Sequence, residues 1–347
     1  MRPAQLAFIL DREFISTAAG HHTPVMLWGP PGVGKSQIVA QVAARHDVPV
    51  VDIRLSQMEP SDLRGIPFRV ESRVEWAVPT LLPDATRHGP AGILFLDEIT
   101  SAPPAVSAAA YQLILDRRLG DYCVPQGWAI FAAGNRQGDR GVTYAMPAPL
   151  ANRFSHFEVE AHLDDWAHWA YQHGIDERLI AFLRFKPELL FDFDPVKNAG
   201  GEMAFPSPRS WEFAHRALQK FADHPELLAG ALAACVGQAA GIECAAFIDS
   251  LDRLPDLDTI CAGGDVPVPV EIDLQYAVAA ALAGRALRAR DDAAILGHIL
   301  DYAQRFPQRE MGVMLVSDMH RGVGQVLFAV PQFADWANAV ADLMLYE

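Results

Sequence analysis

Gly29-Pro30-Pro31-Gly32-Val33-Gly34-Lys35-Ser36 fills every fixed position of the phosphate-binding pattern G-x-x-x-x-G-K-[ST]. Its flanks decide the fold. Pro24-Val25-Met26-Leu27-Trp28 is a short apolar run that reads as a buried strand. Gln37 to Arg45 reads as a helix with Ile38, Val39 and Val42 on one side. A glycine-rich turn between strand and helix can aim several backbone N–H groups at one anion, and the helix N-terminus adds partial positive charge. Gly29, Pro30, Pro31, Gly32, Val33, Gly34, Lys35, Ser36 and Gln37 are therefore the expected nucleotide cradle. Lys35 is expected to reach the β- and γ-phosphates, and the Ser36 hydroxyl to ligate Mg²⁺.

Working outward, Ala91-Gly92-Ile93-Leu94-Phe95-Leu96 is a nearly continuous apolar strand that ends in Asp97-Glu98. Two carboxylates at the carboxyl end of a buried parallel strand have a use beside a phosphate loop. Asp97 is placed to hold Mg²⁺ through water, and Glu98 to orient and polarise an attacking water. A third run, Trp128 to Ala133, ends at Gly134-Asn135, where a polar side chain falls near the γ-phosphate. Pro147 to Phe154 closes the unit and carries Arg153, a guanidinium that can pair on the surface or serve a neighbouring subunit's nucleotide.

Other stretches fill in the fold. Residues 3–19 read as an amphipathic helix, and Val48 to Ile53 as a second buried strand. Phe68, Val70, Val74, Trp76 and Val78 alternate with Arg69, Glu71, Arg73 and Glu75, which predicts a half-buried hairpin turning near Ser72. It interrupts a crossover where a helix belongs. A second inserted hairpin is expected from Leu119–Val124 and Trp128–Ala133 about Pro125-Gln126-Gly127. From about residue 160 the pattern becomes helical, with helices expected at 206–222, 226–240, 242–253, 271–290, 292–305 and 331–345 and a break from Pro255 to Pro269. Arg209 stands in the first turn of one of them, where a cation gains nothing from the helix dipole.

Composition narrows the class. The chain of 347 residues is 51% hydrophobic and 20% charged, a globular composition. Its 43 acidic and 28 basic residues give a net charge of −15, which opposes nucleic acid as the primary partner. Four cysteines without CxxC spacing suit a reducing compartment. Without a secretory signal or a long apolar run, a cytoplasmic location is expected and no membrane association.

The ordered set of phosphate loop at 29–36, Asp97-Glu98, Asn135, Arg153 and Arg209 resembles an AAA+ ATPase. Pro60-Ser61-Asp62-Leu63-Arg64-Gly65, the two inserted hairpins and Ser207-Pro208-Arg209 look like the MoxR branch of that family. The resemblance implies an α/β fold: a three-layer αβα core with a parallel sheet and two inserted β-hairpins, then an all-α lid and a helical C-terminal region. It places the core at 1–160, the lid at 161–245 and an extension at 246–347.

It further implies ATP and Mg²⁺ as cofactors, Ser36 and Asp97 at the metal, and Glu98 as catalytic base. Asn135 is implied as first sensor, Arg209 as second sensor and Arg153 as an arginine finger acting across an interface. A homo-oligomeric ring, usually of six, follows from a site completed in trans. Relatives of the branch work with a von Willebrand A-domain protein on a protein target, among them activators of metalloenzymes such as rubisco and nitric oxide reductase. Arg136 and Arg140 stand as alternatives to Arg153, and the separation of Asn135 from Asp139 favours ATP over GTP. A metal-chelatase motor, a restriction-type nucleic-acid translocase and a nucleotide switch of negligible turnover are the competing readings.

Overall fold

The apolar runs around the phosphate loop assemble as one parallel sheet. In the computed structural model, which describes residues 1–136, 139, 144–194 and 203–344, the strands in chain order are β1 (Val25–Trp28), β2 (Val50–Arg54), β3 (Ile66–Val70), β4 (Arg73–Ala77), β5 (Ala91–Asp97), β6 (Arg118–Leu119), β7 (Tyr122–Cys123), β8 (Gly127–Gly134) and β9 (Ser155–Glu158). Five of them form a sheet in the order β2-β5-β8-β1-β9, every pair parallel.

Side-chain alternation along the strands splits the core between the two faces. On one face α1 (Pro3–Ala18) and α2 (Lys35–Arg45) bury Leu6, Leu10, Val39 and Val42 against Val25, Leu27, Phe95 and Phe131. The other face carries α3 (Pro60–Arg64), α4 (Ala85–His88), α5 (Pro104–Asp116) and α6 (Ala148–Ala151). There Leu63, Val106, Leu113 and Leu150 pack with Met26, Leu94, Leu96 and Ile130. The result is the three-layer αβα arrangement expected from the sequence. From β1 the chain crosses to β2 at one edge, steps back through β5 and β8, then passes over β1 to β9. That reversal beside β1 leaves a crevice at the carboxyl ends of β1 and β8.

From His162 the chain forms a second unit. Its helices are α7 (Leu163–Gln172), α8 (Glu177–Phe185), α9 (Pro208–Lys220), α10 (Pro225–Val236), α11 (Gln238–Ser250), α12 (Leu257–Cys261), α13 (Ile272–Arg288), α14 (Ala293–Ala303), α15 (Arg309–Val323) and α16 (Pro331–Met344). Alanine-rich α13 is buried along most of its length, packing against both α8 and α15. Arg184 is 7% exposed and is bonded to Asp164 of α7 and Asp318 of α15. The ion pair thereby ties three helices together. No helix among the described residues is long and apolar enough to cross a membrane.

Several expectations need correction. β3 and β4 do form a hairpin, but it is exposed along its whole length rather than half-buried. Its turn is Glu71-Ser72, so Val70 pairs with Arg73, Phe68 with Glu75 and Arg69 with Val74. A two-residue turn pairs even with odd positions, which puts Phe68 and Val70 on the face opposite Val74 and Trp76. The second hairpin, β6–β7, turns at Gly120-Asp121 and not about Pro125 to Gly127, because residues 127–134 enter the central sheet parallel to β5 and β1. β2 is an edge strand in which only Ile53 is buried. The expected helix at 226–240 ends at Gly237, the break at 255–269 holds α12, and α15 occupies a stretch where no helix was expected.

Candidate active site

The phosphate loop, Asp97, Glu98 and Asn135 fall at the carboxyl ends of strands or in the turns that leave them. β1 delivers the loop 29–34, and Gly34 caps α2 in the left-handed region at φ 101°, a conformation suited to glycine. A Cβ on Gly29 would stand 2.9 Å from the Val159 carbonyl oxygen, so the loop runs hard against the segment after β9. α2 then presents Lys35 and Ser36 in its first turn.

The Lys35 ammonium is buried and donates to the carbonyls of Gly29 at 2.6 Å and Pro30 at 3.0 Å, and to Asn135 Oδ1 at 3.3 Å. It is thus shared between its own loop and the end of β8. The Ser36 hydroxyl donates to Asp97 Oδ2 at 3.0 Å, joining α2 to the end of β5. Asp97 Oδ1 accepts from the Glu98 backbone N–H at 2.8 Å. Glu98 itself lies in the left-handed region at φ 56°, uncommon for a side chain with a Cβ and frequent where a site stores strain.

Two further residues complete the cluster, and the sequence reading missed both. The Ser56 hydroxyl, in the turn after β2, donates to Glu98 Oε2. Thr100 accepts from the Asn135 backbone N–H at 3.2 Å and donates to the Asn135 carbonyl at 3.3 Å, holding the end of β8 against the turn after β5. The only signal for Ser56 was its place at the end of a parallel strand. Contacts across 42 and 35 residues leave no local trace.

The residues present fit a magnesium nucleotide. An ammonium, backbone donors at a helix start and a hydroxyl paired with a carboxylate are the donor set for a phosphate chain with its metal. Asp52 is held above the ordinary carboxylate range, first by partial burial and then by repulsion from Asp97, with Arg54 opposing the shift and Glu98 adding a smaller contribution. Excess negative charge at that edge is what a bound cation relieves.

Arg153 is exposed at the turn after α6, and among the described residues its side chain has no hydrogen bond or ion pair. Arg136 is tethered within the chain, 3.5 Å from Glu158 at the end of β9. Arg140 lies outside the described residues. Arg209 belongs to the second unit and is exposed in the first turn of α9, whose N-cap Ser207 accepts from the Ser210 N–H at 3.1 Å.

Comparison with known proteins agrees with this geometry. Residues 24–154 match the AAA domain of the dynein-related subfamily. Denitrification regulatory protein NirQ of Pseudomonas aeruginosa is 32% identical over 107 residues, 30% of this chain and 40% of that protein. Protein NorQ of Paracoccus denitrificans is 33% identical over 103 residues, 29% of this chain and 37% of that one. Midasin of Giardia intestinalis is 29% identical over 154 residues, 42% of this chain but 3% of midasin. The chain therefore spans less than half the length of these relatives. The matched segment runs from the start of β1 to the end of the turn that carries Arg153 and holds the whole carboxyl-end cluster, so residues 24–154 form an AAA domain.

Proposed function

We propose that this protein hydrolyses Mg²⁺-ATP and uses the energy to remodel or activate a protein partner, working as a ring with a von Willebrand A-domain protein. The observation that carries the hydrolytic half is the Ser36–Asp97 hydrogen bond at 3.0 Å, which joins the phosphate loop to the acidic strand end beside Glu98. The relative named as a denitrification regulatory protein supports a regulatory role.

Each residue has one task in this scheme. Lys35 exchanges its carbonyl partners for phosphate oxygens, and backbone N–H groups of 32–36 wrap the β-phosphate. Ser36 and Asp97 would hold the metal, which would neutralise charge on the phosphate chain. Glu98 accepts a proton from water as it attacks, and Ser56 fixes the carboxylate. Asn135 holds that water on the far side of the γ-phosphate. Arg153, exposed and unpaired among the described residues, stabilises the transferring phosphoryl group of the adjacent subunit.

The deciding variant is Glu98→Gln. It keeps ATP affinity, measured by calorimetry, and loses about a hundredfold or more in turnover, the usual size of a general-base contribution. Turnover at the wild-type rate would assign the base to another residue. Lys35→Ala loses ATP binding itself; retained affinity there overturns the cradle.

A further inference from the structure

His156 joins the strand that feeds the phosphate loop to the short helix that leads into Arg153. Trp28, last residue of β1, donates its indole N–H to His156 Nδ1 at 2.9 Å, and the two rings stack with centroids 5.9 Å apart. The other ring nitrogen, Nε2, lies 2.7 Å from the carbonyl oxygen of Ala151, last residue of α6. Because Nδ1 accepts, Nε2 carries the proton and donates, so the two contacts together fix one tautomer. Ala151 is two residues from Arg153, and Gly29 follows Trp28 directly.

The sheet explains why the bridge forms. Trp28 pairs with Glu158 and Met26 with His156, so Trp28 and His156 share one sheet face as diagonal neighbours. α6 packs on that same face through Leu150, and Phe154 sets its ring 6.1 Å from the imidazole. α6 spans only Ala148–Ala151, too short to hold a direction on its own.

We propose that His156 is a positioning residue: its bond to the Ala151 carbonyl fixes α6, and so aims Arg153, relative to the strand that presents the phosphate loop. The step to turnover rests on the reading of Arg153 as the finger. The placement of α6 does not.

Three substitutions divide the bridge. His156→Gln puts an amide nitrogen near Nε2, keeping the bond to Ala151 and losing Trp28. His156→Asn reaches only the Nδ1 position and does the reverse, and His156→Ala removes both. ATPase turnover is expected to fall about five-fold in His156→Asn and His156→Ala, the factor for one lost hydrogen bond, with ATP affinity and KM unchanged. His156→Gln is expected to stay near the wild-type rate. Amide exchange of residues 148–154 is expected to quicken in Asn and Ala but not in Gln, while the 29–36 segment keeps its protection. Equal exchange in all three variants overturns the positioning role. So does a loss in His156→Gln as large as in His156→Ala. In an Arg153→Ala background His156→Ala should add no further loss of turnover, and additive losses break the link to Arg153. If Arg153→Ala itself turns over like wild type, the finger reading fails, and exchange alone then decides whether His156 holds α6.

Discussion

Glu98 shows how much of a site can depend on one residue's surroundings. Its left-handed backbone turns the carboxylate out of the β5 line, and Ser56 then fixes it. A second residue, His22, is set just as firmly by its neighbours, and with a pH consequence. Thr17 donates its only hydroxyl proton to the Glu13 carbonyl at 2.9 Å, so at 3.1 Å it accepts from His22 Nδ1–H. Nε2 is left bare and buried without a described partner. Burial first, and the Arg117 charge second, push this imidazole down from 6.5 to about 4. A base with a depressed folded pKa binds its proton more readily when unfolded. Stability is therefore full above about pH 6.5 and falls as the pH drops toward about 4. The loss from this group approaches ~3 kcal/mol at the low end of the window. His22→Asn keeps a donor for Thr17 and cannot titrate. Its melting temperature should vary less between those pH values than wild type's, and identical slopes would remove His22 as the cause.

At the level of elements, the strands that bear the site were legible because burial on both faces of a parallel sheet makes them continuous apolar runs. β1, β5 and β8 all read this way, and the candidate site residues lie at or just beyond their carboxyl ends. β2 deceived because its Val50-Val51 looks the same, yet it lies at the sheet edge, where only Ile53 is buried. α15 was hidden for a different reason. Met311, Leu315, Met319 and Val323 carry a helical spacing, but Gly312 and a buried Asp318 interrupt it. Both interruptions have tertiary causes: a Cβ on Gly312 would stand 2.4 Å from the Ala303 carbonyl oxygen, and Asp318 is bonded to Arg184. The β3–β4 hairpin was legible as a hairpin and misread in its faces, since alternation was carried unbroken through a two-residue turn. Its exposure predicts that Phe68→Ser and Val74→Ser, on opposite faces, each change unfolding free energy by less than about 0.5 kcal/mol. Leu113→Ala, in the fully buried part of α5, should cost about 2–5 kcal/mol. A hairpin substitution as costly as Leu113→Ala in denaturant melts would mean that the hairpin is packed within the folded chain.

At the scale of the whole molecule, hydrogen bonds join Lys35 to Asn135, Ser36 to Asp97 and the Glu98 backbone to Asp97, while Arg153 stands exposed and bonds to none of them. No sequence pattern announces a residue whose partner lies on another chain, and Arg153 was legible only through its place after a short helix before the last strand. If it completes a neighbour's site, Arg153→Ala keeps ATP binding and loses hydrolysis by about 10³-fold, as for other arginine fingers. Mixing then decides the geometry. Lys35→Ala subunits keep their arginine but cannot use nucleotide, and Arg153→Ala subunits keep a cradle but lack the arginine. An Arg153→Ala site facing a Lys35→Ala subunit has all its parts. With random one-to-one mixing and independent sites, about a quarter of sites are whole, so activity should climb from near zero toward that fraction of wild type. The same mixture made with Arg136→Ala should not recover, because Arg136 is bound to Glu158 within its own chain. Recovery with Arg136→Ala or Arg140→Ala in place of Arg153→Ala would move the role to that residue. In rings shown to exchange subunits, no recovery with any of the three means that hydrolysis needs no arginine from a neighbour.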